Sequence, residues 1–152
     1  MSGAHLTGAI ELPDGSWIRG RGLGNPRPAG ALPDHGLYLG TRILRGRHDH
    51  ELSWPHDWIT WPDFLLPVHR GDAIRRIRAL HDRGVAGERV EVACNAGIGR
   101  TGTVIACLAV LAGLSATDAI TWTRANHHHR AVETPWQRWW VGRFPAAEPP
   151  TR

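Results

Sequence analysis

The stretch VEVACNAGIGRTGTVIACLAVLAGL, residues 90–114, decides how this chain folds, because it changes character twice over a short distance. It begins as a short run rich in β-branched residues and ends as an apolar segment with the length of a helix. Between the two lie Cys94, a pair of glycines, Arg100 and Thr101. The pattern predicts a β-strand, a tight loop and a buried helix, with a thiol at the end of the strand and a guanidinium at the mouth of the helix.

The loop between this strand and this helix has the composition of an anion-binding site. Its backbone N–H groups point inward, and the N-terminus of the helix adds partial positive charge. Gly97 and Gly99 let the loop turn tightly without a Cβ in the way. Arg100 adds a planar fork that holds two phosphate oxygens at once. The expected phosphate site therefore consists of residues Asn95, Ala96, Gly97, Ile98, Gly99 and Arg100.

Cys94 lies at the entry to this loop, and we expect the N–H groups and the helix to stabilise its thiolate. A thiolate that faces a bound phosphate is a nucleophile in position for phosphoryl transfer. Thr101 is expected to hydrogen-bond the sulfur. A C-x5-R spacing alone is a weak signal, because a cysteine at the end of a strand is more often a small buried apolar residue. The glycines at both loop positions favour the functional interpretation.

The rest of the chain predicts a single α/β domain over residues 1–152. Strands are expected over residues 16–19, 37–39, 57–60 and 89–93. Residues 20–36 are predicted to be a loop because they are rich in Gly and Pro. Residues 1–8 and 145–152 are predicted to be flexible tails.

Helices are expected over residues 71–84, 101–113, 115–126 and 134–144. Asp72 is predicted to cap the first of these and Gly84 to end it. Ser115 and Thr134 are predicted to open the last two through capping boxes, the second closed by Gln137. The tryptophans of these helices are expected to serve in packing: Trp122, Trp136, Trp139 and Trp140.

The charge of the chain comes from 18 arginines without a lysine, against 14 acidic residues, for a formal net charge of +4. Arginine favours phosphorylated partners, whereas scattered arginines without a groove-reading motif argue against nucleic acid. The longest apolar run, residues 104–114, is too short to cross a bilayer, and no signal peptide is recognised. With two cysteines, no disulfide framework is predicted, and a cytoplasmic location is expected.

The loop CNAGIGRTG, residues 94–102, resembles the signature loop of the cysteine-dependent protein tyrosine phosphatases. That resemblance requires a general acid on a separate upstream loop, because the leaving oxygen needs a proton. The segment WITWPDFLLP, residues 58–67, meets the requirement. Its Trp61, Pro62 and Asp63 are similar to the mobile WPD loop of the family, and Pro67 falls where the family often has a later proline. Asp63 is thereby implied to be the general acid.

A third match, ETPWQ at residues 133–137, is partial. It resembles the glutamine loop of the family, in which glutamines orient the water that hydrolyses the phosphocysteine. Here Glu133 stands at the first position and only Gln137 remains, and a role for Gln137 in the capping box explains its presence equally well. Ala93 is a further departure, because the family usually has histidine before the nucleophile.

The resemblance, carried by residues 57–140, implies a central, mostly parallel sheet flanked by helices. It implies an enzyme in which Cys94 attacks phosphorus, Arg100 binds the phosphate oxygens, Asp63 protonates the leaving group and Thr101 helps the thiolate depart. No metal or cofactor is required. Phosphotyrosine proteins are the expected substrates, because the loop positions at which lipid phosphatases usually carry basic residues are neutral: Asn95, Ala96 and Ile98.

Other interpretations remain open. One is a dual-specificity or phosphoinositide phosphatase of the same fold. The second is a low-molecular-weight phosphatase or arsenate reductase. Those proteins carry the loop near the N-terminus and the acid far downstream, which is the reverse of the order in this sequence. A non-catalytic phosphate-binding module is the third. Solvated histidines are favoured over a metal site at His48, His50, His56 and residues 127–129, and Cys107 is expected to be a buried thiol.

Overall fold

The computed structural model describes residues 4–146. Its strands, numbered β1 to β5, are Ile10–Glu11, Trp17–Gly22, His35–Gly40, His56–Thr60 and Val90–Cys94. They form one sheet in the order β1-β2-β5-β3-β4. Only the β1–β2 pair is antiparallel among the described strands, so the mostly parallel sheet predicted from the sequence is confirmed.

The helices, numbered α1 to α5, are Arg42–His48, Arg70–Val85, Gly99–Leu111, Ala116–Asn126 and Pro135–Arg143. A single 3₁₀ turn, Asp49–Glu51, follows α1. The sequence does not predict α1, because its 7 residues, RILRGRH, contain a glycine and are too few to show a helical period. Over the described residues, no helix combines the length and hydropathy needed to cross a membrane.

The two faces of the sheet carry separate cores, because side chains alternate along each strand. On β5, Val90, Val92 and Cys94 face the larger core, which also holds the apolar helix α3. Ala93 faces the smaller core, which includes Leu44 of α1. Helices therefore lie on both faces, as predicted, and Cys94 is fixed on the side of α3.

The predicted ends of α2 are wrong. The helix begins one residue after His69, so Asp72 lies in the first turn and pairs with Arg76 at 2.9 Å instead of capping the helix. It also continues through Gly84, and the chain turns away at Gly87, which has a φ of +93°. A glycine with positive φ lets the chain turn back and satisfy the last carbonyl groups of the helix, which a glycine with helical geometry does not do.

The predicted caps of α4 and α5 are confirmed. Ser115 Oγ accepts a hydrogen bond from the N–H of Asp118 at 3.1 Å. Thr134 Oγ1 accepts from the N–H of Gln137 at 3.1 Å, and the Gln137 side chain closes the capping box.

The tryptophan prediction is correct in part. Trp140 is buried and Trp122 is partly buried against the core. Trp136 and Trp139 are 46% and 52% exposed, so their assignment to helix packing is wrong. Helix α5 covers the core with one face only, and these two rings lie on its other face.

The predicted loop over residues 20–36 is too long, because β2 continues to Gly22 and β3 begins at His35. The predicted N-terminal tail also needs correction over residues 4–8. Leu6 is buried, and Thr7 Oγ1 donates to the carbonyl of Ala29 at 2.7 Å. At the other end, the carbonyl of Pro145 accepts from Arg78 at 2.9 Å. The tail residues 1–3 and 147–152 lie outside the described part of the chain.

A buried ionic cluster ties β2, β3 and β5 together. Glu91 Oε1 pairs with Arg19 Nη2 at 2.7 Å and with Arg21 Nε at 2.8 Å. Glu91 Oε2 accepts from the Tyr38 hydroxyl at 2.7 Å, and that hydroxyl accepts from Trp54 Nε1. Burial, and then the charge of Glu91, raises the pKa of Tyr38 far above its usual value, so the phenol remains a donor.

Glu91→Gln is expected to lower the free energy of unfolding by about 3–5 kcal/mol, because it leaves buried guanidinium groups without a counter-charge. The shift of the urea midpoint at constant slope measures this loss. The matched control is Glu88→Gln, since Glu88 is 36% exposed and pairs with Arg83 at 3.3 Å. The control should cost about 1 kcal/mol or less. Equal stability of the two variants would contradict the expectation.

Candidate active site

Cys94 is the last residue of β5, and its side chain is only 2% exposed. Its sulfur accepts two hydrogen bonds: one from the N–H of Gly97 at 3.2 Å and one from Thr101 Oγ1 at 3.1 Å. Both donors favour a negatively charged sulfur. The structure therefore brings Cys94 and Thr101 together in the way the sequence predicts.

The loop after Cys94 is shaped by glycines that lie both within it and outside it. Gly97 has a φ of +79°, and a Cβ there would lie 2.6 Å from the carbonyl carbon of Arg21. Across the interface, a Cβ on Gly22 would lie 2.6 Å from the carbonyl oxygen of Ala96. The close approach of β2 and the loop thus depends on having no side chain at either position.

The segment after β2 completes this support. The N–H of Leu23 donates to the carbonyl of Cys94 at 2.8 Å, and the N–H of Gly24 donates to the carbonyl of Asn95 at 3.0 Å. The sequence predicts a loop for this segment and does not indicate its supporting role. The sequence signal for this role is the glycine spacing in GRGLG, residues 20–24, which directly follows a predicted strand.

Arg100 lies in the first turn of α3 and is only 5% exposed. Its Nη1 donates to the carbonyl of Trp61 at 2.9 Å, and its Nε lies 3.5 Å from Asp63 Oδ1. Within residues 4–146 this Nε has no hydrogen-bond acceptor. A buried guanidinium with a donor still unsatisfied is suited to an anionic ligand.

The loop that carries Asp63 is anchored by Trp61. Trp61 is fully buried, its Nε1 donates to the carbonyl of Leu65 at 2.7 Å, and its ring packs on Trp140 with centroids 5.5 Å apart. Asp63 is itself 59% exposed, and its Oδ1 accepts from the N–H of Phe64 at 3.0 Å. Asp63 is thus held at the edge of the site by a rigid tryptophan anchor.

Helix α5 holds the same loop from the other side. Trp136 Nε1 donates to the carbonyl of Phe64, a residue with a φ of +61°. That left-handed conformation is strained for a residue with a side chain, so neighbouring contacts must maintain it. The role of Trp136 as a loop contact is not predicted from the sequence, because no local pattern around Trp136 indicates which distant segment it contacts.

Gln137 is fully buried and its polar atoms serve structural partners. Its Oε1 accepts from the N–H groups of Glu133 and Thr134, at 3.0 and 3.4 Å. Its Nε2 donates to the carbonyl of Leu65 at 3.4 Å. These contacts account for Gln137 through the capping box and the Asp63 loop, so its part in orienting water stays a prediction.

A shallow groove of about 310 Å³ adjoins the loop and is lined by Phe64, Arg124, Arg130, Val132 and Glu133. Glu133 lies directly against Gly99, where a Cβ would overlap its carboxylate. Arg130 pairs with Glu133 at 3.3 Å. Arg124 donates to the carbonyls of Ala131 and Val132 at 2.9 Å. The groove therefore combines an apolar rim with guanidinium groups already engaged by the protein.

Among the described residues, no group of three or more His, Cys, Asp or Glu side chains is placed to hold a metal ion. Asp57, the other acid near the Asp63 loop, is paired with Arg76 at 2.6 Å and with His35 at 3.2 Å. Cys107 is buried in α3, where burial raises the pKa of its thiol.

Comparison with known proteins identifies the family. The model of the protein-tyrosine phosphatase family matches residues 41–134, which contain both the Asp63 loop and the Cys94 loop. The chain belongs to the protein-tyrosine phosphatase family. Tyrosine-protein phosphatase 69D of Drosophila melanogaster is 31% identical to it over 67 residues, 43% of this chain. The matched part is 5% of that relative, so this family member corresponds to a small portion of the larger protein.

Solved structures of phosphatases share the fold of this family member. The active form of Tk-PTP matches with a TM-score of 0.64 and 22% identity, over 88% of this chain and 92% of the other. Kinase associated phosphatase matches with a TM-score of 0.68 and 14% identity, over 90% and 92%. PTPMT1 in complex with PI(5)P matches with a TM-score of 0.57 and 14% identity, over 74% and 76%.

Proposed function

We propose that this chain hydrolyses phosphate monoesters through a phosphocysteine intermediate. The observation that carries the proposal is the convergence of three chemically distinct groups from three elements. Cys94 ends β5, Arg100 opens α3, and Asp63 lies 3.5 Å from Arg100 on the loop after β4. Nucleophile, anion clamp and proton donor are the parts that phosphoryl transfer requires when no metal takes part.

In the first step the Cys94 thiolate attacks phosphorus. The S–P bond forms, the bond from phosphorus to the ester oxygen breaks, and Asp63 gives its proton to the departing oxygen. Arg100 and the N–H groups of residues 95–100 bind the equatorial oxygens, which carry most of the charge in the transition state. A donor fixed in place before the reaction stabilises that charge without reorganisation.

In the second step water attacks the phosphocysteine. The Asp63 carboxylate takes a proton from the water, a P–O bond forms, and the S–P bond breaks to release inorganic phosphate and the thiolate. Thr101 Oγ1, which lies 3.1 Å from the sulfur, donates to the thiolate as it departs. Glu133 and Gln137 stand at the positions where the family has its water-orienting glutamines. We propose that they help to orient the attacking water.

Phosphotyrosine proteins are the proposed substrates. Cys94 as a residue is only 2% exposed, which favours a substrate with a long, narrow arm. Phe64 is 51% exposed at the rim and offers an apolar contact for a phenyl ring. Inside the loop, Asn95, Ala96 and Ile98 add no charge for a polyphosphorylated head group.

A dual-specificity or phosphoinositide phosphatase is the second candidate, and the groove beside the loop is the observation that favours it. Arg124 and Arg130 line that groove, and guanidinium groups suit additional phosphates. Their existing contacts with Glu133 and with backbone carbonyls compete with such a ligand. PTPMT1, whose structure contains PI(5)P, shares only the fold.

Values of kcat/KM on matched phosphotyrosine and phosphothreonine peptides, and on a soluble phosphoinositide, separate the candidates. We expect the phosphotyrosine peptide to lead. Equal values for the two peptides indicate dual specificity, and a lead for the inositide overturns the substrate proposal. Absence of activity on every substrate and on an aryl phosphate supports a non-catalytic phosphate-binding module.

Asp63→Asn is expected to lower kcat by roughly 100-fold or more, the usual scale for a positioned general acid. In the wild type, kcat/KM should be bell-shaped with pH, because the thiolate is needed at the acid side and the protonated acid at the alkaline side. The amide cannot titrate, so the alkaline limb should flatten. Asp57→Asn is the matched control, because the ion pairs of Asp57 with Arg76 and His35 hold it away from this role. A bell-shaped pH profile of kcat/KM that persists in Asp63→Asn would show that another residue is the general acid.

We also propose a reducing, cytoplasmic setting. Both cysteines are free in the structure, and the proposed reaction requires Cys94 to remain a thiol or thiolate. Loss of activity on oxidation, with recovery on addition of dithiothreitol, tests the requirement.

A further inference from the structure

His127 contacts the phosphate-binding loop from the end of α4, although its sequence pattern predicts a solvated histidine. Its Nε2 lies 2.8 Å from the carbonyl oxygen of Gly97. A carbonyl oxygen only accepts, so the chemistry assigns the proton to Nε2. The ring is also held against β2, where a Cβ on Gly20 would approach its Cε1 to 2.8 Å.

The protonation state of His127 agrees with this contact. Burial lowers the pKa of His127, while the hydrogen bond to Gly97 opposes the shift and the neighbouring His128 adds to it. The neutral ring, with its proton on Nε2, is therefore the favoured form near neutral pH.

The contact fixes the orientation of one peptide group of the loop. A trans peptide is planar, so its carbonyl and the following N–H point in opposite directions. Because the carbonyl of Gly97 points to His127, the N–H of Ile98 points away from it. Ile98 is the N-cap residue of α3, whose first N–H groups have no partner within the helix. One bond thus orients the N–H of Ile98, a donor at the helix end where the proposed phosphate binds.

We propose that His127 is a positioning residue of the phosphate-binding loop and acts through the peptide between Gly97 and Ile98. The inference rests on the proposed function, since the loop binds phosphate only if the site is a phosphatase or a phosphate module. The same bond stabilises the turn in which the N–H of Gly97 donates to the sulfur of Cys94 at 3.2 Å. Ala93, which precedes the nucleophile, has no polar side chain to brace the loop from β5.

A comparison of His127→Leu with His127→Gln tests the role of the hydrogen bond. Leucine keeps the packing on Gly20 but removes the donor, whereas glutamine places an amide N–H near the position of Nε2. We expect His127→Leu to lower kcat/KM on an aryl phosphate by about 10-fold to 100-fold, the scale of a small misplacement at a reacting centre. His127→Gln should recover most of the loss. His129→Ala, which alters an exposed neighbour, is the matched control and should match the wild type.

Binding is measured without turnover, through the protection of Cys94 from iodoacetamide by inorganic phosphate. Both cysteines are buried, so the measurement is made in a Cys107→Ala background, in which alkylation reports Cys94. His127→Leu should need about 10-fold more phosphate for half-protection, with an unchanged urea midpoint. If phosphate protects the wild-type chain but that chain turns over no aryl phosphate, the phosphatase proposal fails while the role of His127 in the loop stands.

Two results overturn the role of His127. One is a His127→Leu variant with wild-type protection and kcat/KM. The other is a His127→Gln variant that is as impaired as His127→Leu, because ring packing and not the hydrogen bond then matters. If His127→Leu does not fold, His127→Asn takes its place, since the shorter amide does not reach the carbonyl of Gly97.

Discussion

Cys94→Ser is expected to reduce turnover of an aryl phosphate by roughly 10⁴-fold or more, the scale seen when a nucleophile is removed. A serine hydroxyl at this position has no base to activate it. Within residues 4–146 the sulfur accepts from Gly97 N–H and Thr101 Oγ1, and both stabilise an anion without removing a proton. The hydroxyl is therefore a far weaker nucleophile than the thiolate.

The same variant should still bind inorganic phosphate. The loop N–H groups and Arg100 are unchanged, and loss of the thiolate removes a negative charge that faces the ligand. Calorimetric titration of Cys94→Ser with phosphate measures this affinity, which we expect to equal or exceed that of the wild type. Cys107→Ala is the matched control, because it removes the other thiol from α3 and should retain activity. Substantial turnover by Cys94→Ser, with phosphate binding intact, would contradict the phosphocysteine mechanism.

Local sequence patterns predict much of the fold and the central residues of the site. Cys94, Gly97 and Arg100 lie within one short segment, residues 94–100, so their spacing alone fixes their relation once a strand and a helix flank them. Thr134 and Gln137 are predicted correctly for the same reason, because a capping box is a local hydrogen-bond pattern. The family resemblance adds Asp63, whose Oδ1 lies 3.5 Å from Arg100 Nε in the structure.

The contacts that the sequence does not reveal join segments that are distant in the chain. Gly22 lies against Ala96, Trp136 donates to Phe64, and His127 reaches Gly97 only because the sheet order and the helix layer bring them together. No local period encodes such pairs. A glycine-rich stretch predicts a loop whether the missing Cβ serves a turn or a close approach of two backbones.

The wrong ends of α2 have a similar origin. Asp72 is a favourable N-cap residue, yet the helix extends past it because Arg76 satisfies its carboxylate at 2.9 Å. Gly84 is a favourable end, yet it stays helical and buried against the sheet. At Gly84 a tertiary contact outweighs the local preference, which amounts to about 1 kcal/mol. At Asp72 the competing contact is an i,i+4 pair within the helix.

Arg100→Lys is expected to lower kcat/KM by about 100-fold to 1000-fold, the range for removing a preorganised donor of an oxyanion site. Lysine keeps the positive charge, so any loss of kcat/KM reflects the geometry of the hydrogen bonds to the phosphate oxygens. An ammonium group is a point charge and cannot make two parallel hydrogen bonds to phosphate oxygens. The variant also loses the contact from Nη1 to the carbonyl of Trp61, which ties the guanidinium to the loop of Asp63.

The loss should therefore appear in both kinetic constants. Weaker phosphate binding raises KM, and poorer stabilisation of the equatorial oxygens together with a loosened Asp63 loop lowers kcat. Arg138→Lys, at an exposed position of α5, is the matched control and should leave both constants unchanged. If Arg100→Lys raises KM alone, Arg100 binds substrate and transition state equally, and the assignment of Arg100 to transition-state stabilisation fails. If kcat falls with an unchanged KM, the contact with Trp61 and the placement of Asp63 account for the role of Arg100 better than ground-state binding of phosphate does.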